Sequence, residues 1–197
     1  MYTYGYLFYI PVNLVFILIL GIKGILQKRE KGYYFFVFIL GIYLNFLIDK
    51  AFFPIFTDGA VYYTSFADHV NLDVTSLFGY TPYQIIGNLA LTFPMGILLA
   101  VVMDCRNSVR IGCSVLFSVL IEFVQLLMII SLHLTDVCFD VNDILLNTAG
   151  CLCGNAVFYI FCRMDACLQG QGCSDSVAGY FHQVWRKCAG VSLTKPY

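Results

Sequence analysis

Runs of roughly twenty apolar residues constrain this chain more than anything else in it. They cover Tyr6–Leu26, Tyr33–Phe56, Tyr83–Met103, Ile111–Leu132 and Val141–Cys162. At a rise of ~1.5 Å per residue, each is long enough as a helix to cross a hydrocarbon layer of ~30 Å. The segments between them cannot coat a water-soluble surface, because charged residues make up 12% of the 197 residues and hydrophobic ones 60%, with a mean hydropathy of +0.80. In lipid the backbone must satisfy its own hydrogen bonds, and helices do so. The expected fold is therefore all-α, a polytopic membrane protein of about five transmembrane helices.

The loops predict an orientation. Lys28, Arg29 and Lys31 follow the first run, Arg106 and Arg110 the third, and Arg163, Arg186, Lys187 and Lys195 the fifth. The alternate loops have no Lys or Arg: 54–82 carries Asp58, Asp68, His69 and Asp73, and 132–140 carries His133, Asp136 and Asp140. By the positive-inside rule the N-terminus is expected outside and the C-terminus in the cytoplasm. No basic residue precedes the first run and no small-residue cleavage site follows it, so it is expected to remain as a span rather than leave as a signal peptide. The chain divides into residues 1–82, two helices and an outer aromatic and acidic loop; 83–163, a three-helix core; and 164–197, a cytoplasmic tail. Part of the outer loop is expected to lie along the membrane interface, and residues 179–191 around Trp185 to form a surface helix. His69 and His133 are expected to be solvated, and Asp49 with Lys50 to form a snorkelling pair at the end of the second run.

Composition excludes some functions. No basic patch interleaved with aromatics is present, so nucleic acid is not an expected partner. The nine cysteines show no C-x-x-C pairing, and Cys151 and Cys153 point to different faces of a helix. Free thiols are expected, with no metal centre and no resident cofactor.

The polar residues inside the apolar runs are the informative ones, because an ionisable group in lipid must face protein or a wet cavity. Ser114, Ser118, Glu122 and Gln125 share one face of the fourth run, with Glu122 near its middle. Asp140, Asp143, Asn147, Gly150 and Gly154 form a stripe on the fifth. The glycines in that stripe permit close helix packing, within the chain or between copies. On the third run Gln84, Asn88, Thr92 and Gly96 recur every four residues, and Pro94 is expected to kink the helix. With the expected orientation these three helices line one pocket open to the outer face, with Glu122 at mid-membrane and Asn88, Asp143 and Asn147 above it. The binding candidates are Asn88, Thr92, Glu122, Gln125, Asp140, Asp143 and Asn147. The packing candidates are Pro94, Gly96, Gly150 and Gly154. Catalytic residues are undetermined, with Glu122 and Asp143 the candidates. A plainer alternative is that these groups only fix helix register.

Three stretches carry a resemblance: Asn88-Leu-Ala-Leu-Thr-Phe-Pro94-Met-Gly96, Glu122-Phe-Val-Gln125, and Asp140-x-x-Asp143-x-x-x-Asn147-Thr-x-Gly150. In them the chain resembles the VanZ-like family of bacterial membrane proteins, over about residues 83 to 160. It departs where members often carry an Arg before the first aspartate, since Val137-Cys138-Phe139 stands there. Without that Arg the carboxylates would need water, protonation, a cation or Lys50 as compensation. The resemblance implies a plasma-membrane protein whose named relative is associated with low-level teicoplanin resistance; it supplies no reaction.

Three functions fit this reading. The site binds an envelope lipid or a lipid-linked cell-wall precursor from the outer leaflet. Alternatively the chain is an enzyme acting on a lipid phosphate or glycolipid, with Glu122 as acid or base and Asp140 with Asp143 holding Mg²⁺. In the third, it is a small proton-coupled transporter built around a midplane Glu. The oligomeric state is open.

Overall fold

The structure, a computed structural model, describes residues 6–53, 66–103, 106–132, 137–168 and 184. Asp58, His133, Asp136, Trp185 and the segment 179–191 lie outside the described residues.

Among the described residues five α-helices make the body: α1 (Tyr6–Leu26), α2 (Lys31–Phe52), α3 (Pro82–Val102), α4 (Asn107–Leu132) and α5 (Val141–Leu168). Four of them contain stretches long and apolar enough to cross a membrane, and α1 contributes a shorter apolar stretch, Ile10–Leu26. Along α1 the side chains of Val12, Leu14, Val15, Leu18, Ile19 and Ile22 are exposed, as are Leu116, Leu120 and Phe123 on α4. Such surfaces are tolerable against hydrocarbon and not against water. The chain is thus an all-α, multi-pass membrane protein. Three boundaries differ from the apolar runs by four residues or more: α2 ends at Phe52, α4 begins at Asn107 and α5 continues to Leu168.

The helices pack in the series α1 on α2, α2 on α3, and α3 and α4 on α5. Tyr33, Val37, Leu40 and Leu47 of α2, Met95, Leu98 and Val101 of α3, and Cys151 and Phe158 of α5 belong to one buried core. Polar links reinforce the series. Asn13 Nδ2 donates to the Gly41 carbonyl at 2.8 Å, Tyr43 hydroxyl to the Leu91 carbonyl at 2.7 Å, and Gln125 Nε2 to the Ala51 carbonyl at 3.2 Å.

The α3–α5 contact is the closest, and it is parallel. Asn88 meets Asp143, Thr92 meets Asn147, and Gly96 meets Cys151, advancing four residues along each helix at every step. A Cβ added at Gly96 would overlap the Cys151 carbonyl, and one at Gly154 the Phe93 carbonyl. Backbone therefore lies on backbone, which accounts for the small residues of this face. Gly150 and Gly154 pack within the chain, and α3 runs as one helix through Pro94.

Between α2 and α3 lie a 3-10 segment Phe66–His69, strand β1 (Val70–Asn71) and a second 3-10 segment Val74–Gly79. Strand β1 pairs in parallel with β2 (Phe139–Asp140), Val70 opposite Phe139 and Asn71 opposite Asp140. The described part of the outer loop, residues 66–80, folds over the start of α5. His69, expected to be solvated, is half-buried, with its Nδ1 3.2 Å from the Val137 carbonyl oxygen.

Candidate functional site

The start of α5 is the centre of the polar cluster. Asp140 immediately precedes the helix, and its Oδ1 accepts the backbone N–H of Asn142 at 2.8 Å, the bond an N-cap residue makes to an otherwise orphaned helix donor. Asn142 Nδ2 donates to the same oxygen at 3.0 Å. The other oxygen, Oδ2, accepts from Asn71 Nδ2 at 2.7 Å and from the Tyr80 hydroxyl at 2.5 Å. A carboxylate offers about four lone-pair directions, so Asp140 is saturated by neutral donors from its own helix and from the 66–80 connector.

Asn142 is fully buried and anchors the connector, donating also to the Asp73 carbonyl at 2.9 Å and to Ser76 Oγ at 2.8 Å. Ser76 Oγ accepts from Asn71 Nδ2 and donates to the Asp73 carbonyl. The connector is stiffened locally by Asp73, which caps the second 3-10 segment through Thr75. Hydrogen bonds from Thr75 hold the Asp73 carboxyl below its usual value. Burial pushes the Tyr80 hydroxyl well above its usual value, and its hydrogen bond to Asp140 adds to the rise, so Tyr80 acts as a neutral donor.

One turn into α5, Asp143 Oδ1 accepts from Asn88 Nδ2 at 2.6 Å. A turn deeper, Thr92 Oγ1 lies 2.8 Å from the Asn147 carbonyl and 3.0 Å from that of Asn88. From α4, Glu122 Oε2 accepts the backbone N–H of Asp140 at 3.2 Å. Glu122 is 1% exposed, whereas Asp143 and Asn88 are half-buried and form the rim.

The structure thus brings Asn88, Thr92, Glu122, Asp140, Asp143 and Asn147 together, but not in the expected order. Glu122 was placed below the α5 polar groups; it stands instead beside the residue that precedes α5, and Thr92 with Asn147 lies deeper. The reason is that α4 extends past the end of α2, and residues 137–140 return alongside it before α5 begins. Gln125 joins the end of α2 rather than the cluster. Ser114 and Ser118, which share Glu122's face, donate back to the carbonyls of Arg110 and Ser114 within α4. Gln84 sits at the exposed head of α3 in a capping box with Thr81. Lys50 pairs with Asp49 at the surface, 3.4 Å apart, and not with the cluster.

Sequence reasoning passed over Asn71, Ser76, Tyr80 and Asn142. The run Asn71-x-Asp73-x-Thr75-Ser76 is rich in turn formers, but only the fold shows which carboxylate it meets. Among the described residues no group of three or more His, Cys, Asp or Glu is disposed to hold a metal ion. Cys113, Cys138, Cys151 and Cys153 are free thiols.

The chain matches no curated protein and no solved structure. A sequence model of the VanZ/LLP1 family does match, over residues 14–162. That range runs from within α1 to within α5, so the likeness reaches the first two helices as well as the three that build the site. With a match over well more than half of its length, the chain belongs to the VanZ/LLP1 family.

Proposed function

We propose that this chain holds the polar part of an envelope lipid or lipid-linked cell-wall precursor at the Asn88, Glu122, Asp143 and Asn147 cluster. It thereby contributes to glycopeptide (teicoplanin) resistance or envelope homeostasis in a bacterial plasma membrane. The N-terminus is outside and the C-terminus cytoplasmic, as the loop charges require, so the connector and the site face the outer leaflet. The observation that carries this reading is a buried hydrogen-bonded cluster of carboxylates and amides whose rim, Asn88 and Asp143, adjoins an exposed face of α3. Tyr83, Ile86, Gly87 and Ala90 on that face are exposed. A lipid can lay its chains there while its polar part reaches the rim. The enzyme alternative loses support from Asp140, whose oxygens are both engaged by protein donors and are poorly placed to ligate Mg²⁺.

Teicoplanin susceptibility of cells carrying wild type, Glu122→Gln, Asp143→Asn or Asn147→Ala, at matched membrane levels, tests the reading. The first two are expected to lose the phenotype while remaining in the membrane. Full activity in all three would reduce the cluster to a packing device.

A further inference from the structure

The balance of donors and acceptors in the cluster points to the chemistry of its ligand. Three carboxylates, Glu122, Asp140 and Asp143, gather around the start of α5. Among the described residues every donor bonded to them is neutral: Asn71, Asn88 and Asn142 amides, the Tyr80 hydroxyl, and backbone N–H groups. Those donors are committed, whereas acceptors are left over. Among the described residues Asn142 Oδ1 and Asn147 Oδ1 are buried without a partner, on side chains 0% and 2% exposed. The Asn142 amide cannot be reversed to relieve this, because its nitrogen donates to the Asp73 carbonyl. Asn147 lies one turn beyond Asp143 on the same face of α5, where helical side chains lean toward the helix N-terminus.

A buried acceptor without a donor is destabilising, and a ligand that supplies donors removes that cost. A phosphate would bring further acceptors into a site that already has them in excess. A quaternary ammonium would bring charge and no N–H. A primary ammonium brings three donors and one positive charge.

We infer that this site takes a primary ammonium group, with Asp143 and Asn88 as the rim it passes and Asn147 and Glu122 as the acceptors that receive it. The inference rests on the lipid-holding reading above and specifies which headgroup is held. The open face of α3 supplies the approach: a Cβ added at Gly87 would meet nothing within 4 Å. The same ammonium chemistry can come from an aminophospholipid or from a free amine.

The test is lipid retention by the purified full chain, reconstituted with equal amounts of phosphatidylethanolamine, phosphatidylcholine and phosphatidylglycerol, and read by native mass spectrometry. The expected result is at least fivefold retention of the ethanolamine lipid over the choline lipid. Asn147→Ala and Asp143→Asn should each abolish that preference while eluting as monodisperse protein. Gly112→Ala, on an exposed part of α4 with open space around it, should keep it and controls for handling. Free ethanolamine that displaces the lipid at millimolar concentration, where sodium chloride at equal ionic strength does not, assigns recognition to the ammonium itself. Displacement only by intact ethanolamine lipid assigns recognition to the ammonium presented with its chains. Equal retention of ethanolamine and choline lipids, preference for the glycerol lipid, or displacement by sodium as strong as by ethanolamine overturns the inference and leaves lipid holding intact. Absence of any saturable lipid retention overturns both.

Discussion

The Glu122 carboxylate accepts the backbone N–H of Asp140 at 3.2 Å, tying the body of α4 to the residue that precedes α5. The bond answers two needs at once. A carboxylate at a helix N-terminus is stabilised by the unpaired N–H groups and the dipole there, and a buried Glu needs a fixed donor. The 66–80 connector closes the arrangement by supplying Asn71 and Tyr80 to the Asp140 side chain.

Asp140 is accordingly the residue whose loss should loosen the connector. Asp140→Ala leaves Asn71, Tyr80 and Asn142 donors without their acceptor, each buried unmet donor costing ~1–3 kcal/mol. Hydrogen exchange should rise across residues 66–80 while α1 and α2 are unchanged. Asp143→Ala, at the half-buried rim, should leave the connector protected.

The α3–α5 contact should be intolerant of even a methyl group. Gly96→Ala and Gly154→Ala force two backbones apart, and overpacking of this kind costs ~1–3 kcal/mol or more. Thermal unfolding in detergent should fall clearly for both. Gly112→Ala, with nothing within 4 Å of its new Cβ, should unfold like the wild type.

Asn13 tells a different story although it too is buried. The Gly41 carbonyl that it binds also accepts from Asn45 Nδ2 at 2.9 Å, and Asn13 Oδ1 has no partner among the described residues. Removing one of two donors, together with an unsatisfied acceptor, should change stability little. Asn13→Leu is expected to shift unfolding by less than about 1 kcal/mol, near the usual net worth of such a bond between membrane helices.

Cys138 offers a test of orientation and of local electrostatics together. It is exposed, yet partial burial of its thiol, followed by the negative charge of Asp140, pushes its ionisation above the usual value. The thiolate is the reactive form. Labelling of Cys138 by an impermeant maleimide in intact cells should therefore be slow at neutral pH and accelerate as pH rises through and above 9. Cys188, in the cytoplasmic tail under the proposed topology, should stay unlabelled at every pH until the cells are opened.

Much of the scaffold was legible because lipid imposes a simple rule on helices. The apolar runs mark α1 to α5 to within a few residues at most ends, and the Asn88, Thr92, Gly96 and Asp143, Asn147, Gly150 periodicities identify the faces that meet. The connector was not legible. Residues such as Asn71 and Tyr80 acquire their place only through the parallel bridge between β1 and β2, a contact between segments some seventy residues apart in sequence that no local period announces. The depth of Glu122 was misread for a related reason. Its position along α4 is central, but depth in the bundle depends on where residues 137–140 return, and that is set by tertiary pairing. Ser114 and Ser118 show the limit of face arguments: they share Glu122's stripe, yet their hydroxyls donate to carbonyls of their own helix rather than to the cluster.

The most direct test of the central claim is binding of a radiolabelled lipid-linked cell-wall precursor to the purified protein in nanodiscs, wild type against Asp143→Asn. Saturable binding to wild type that falls at least tenfold in the variant, with the variant still folded, is the predicted result. Absence of saturable binding to wild type, or equal binding to both proteins, would contradict the holding of a lipid-linked precursor at this site.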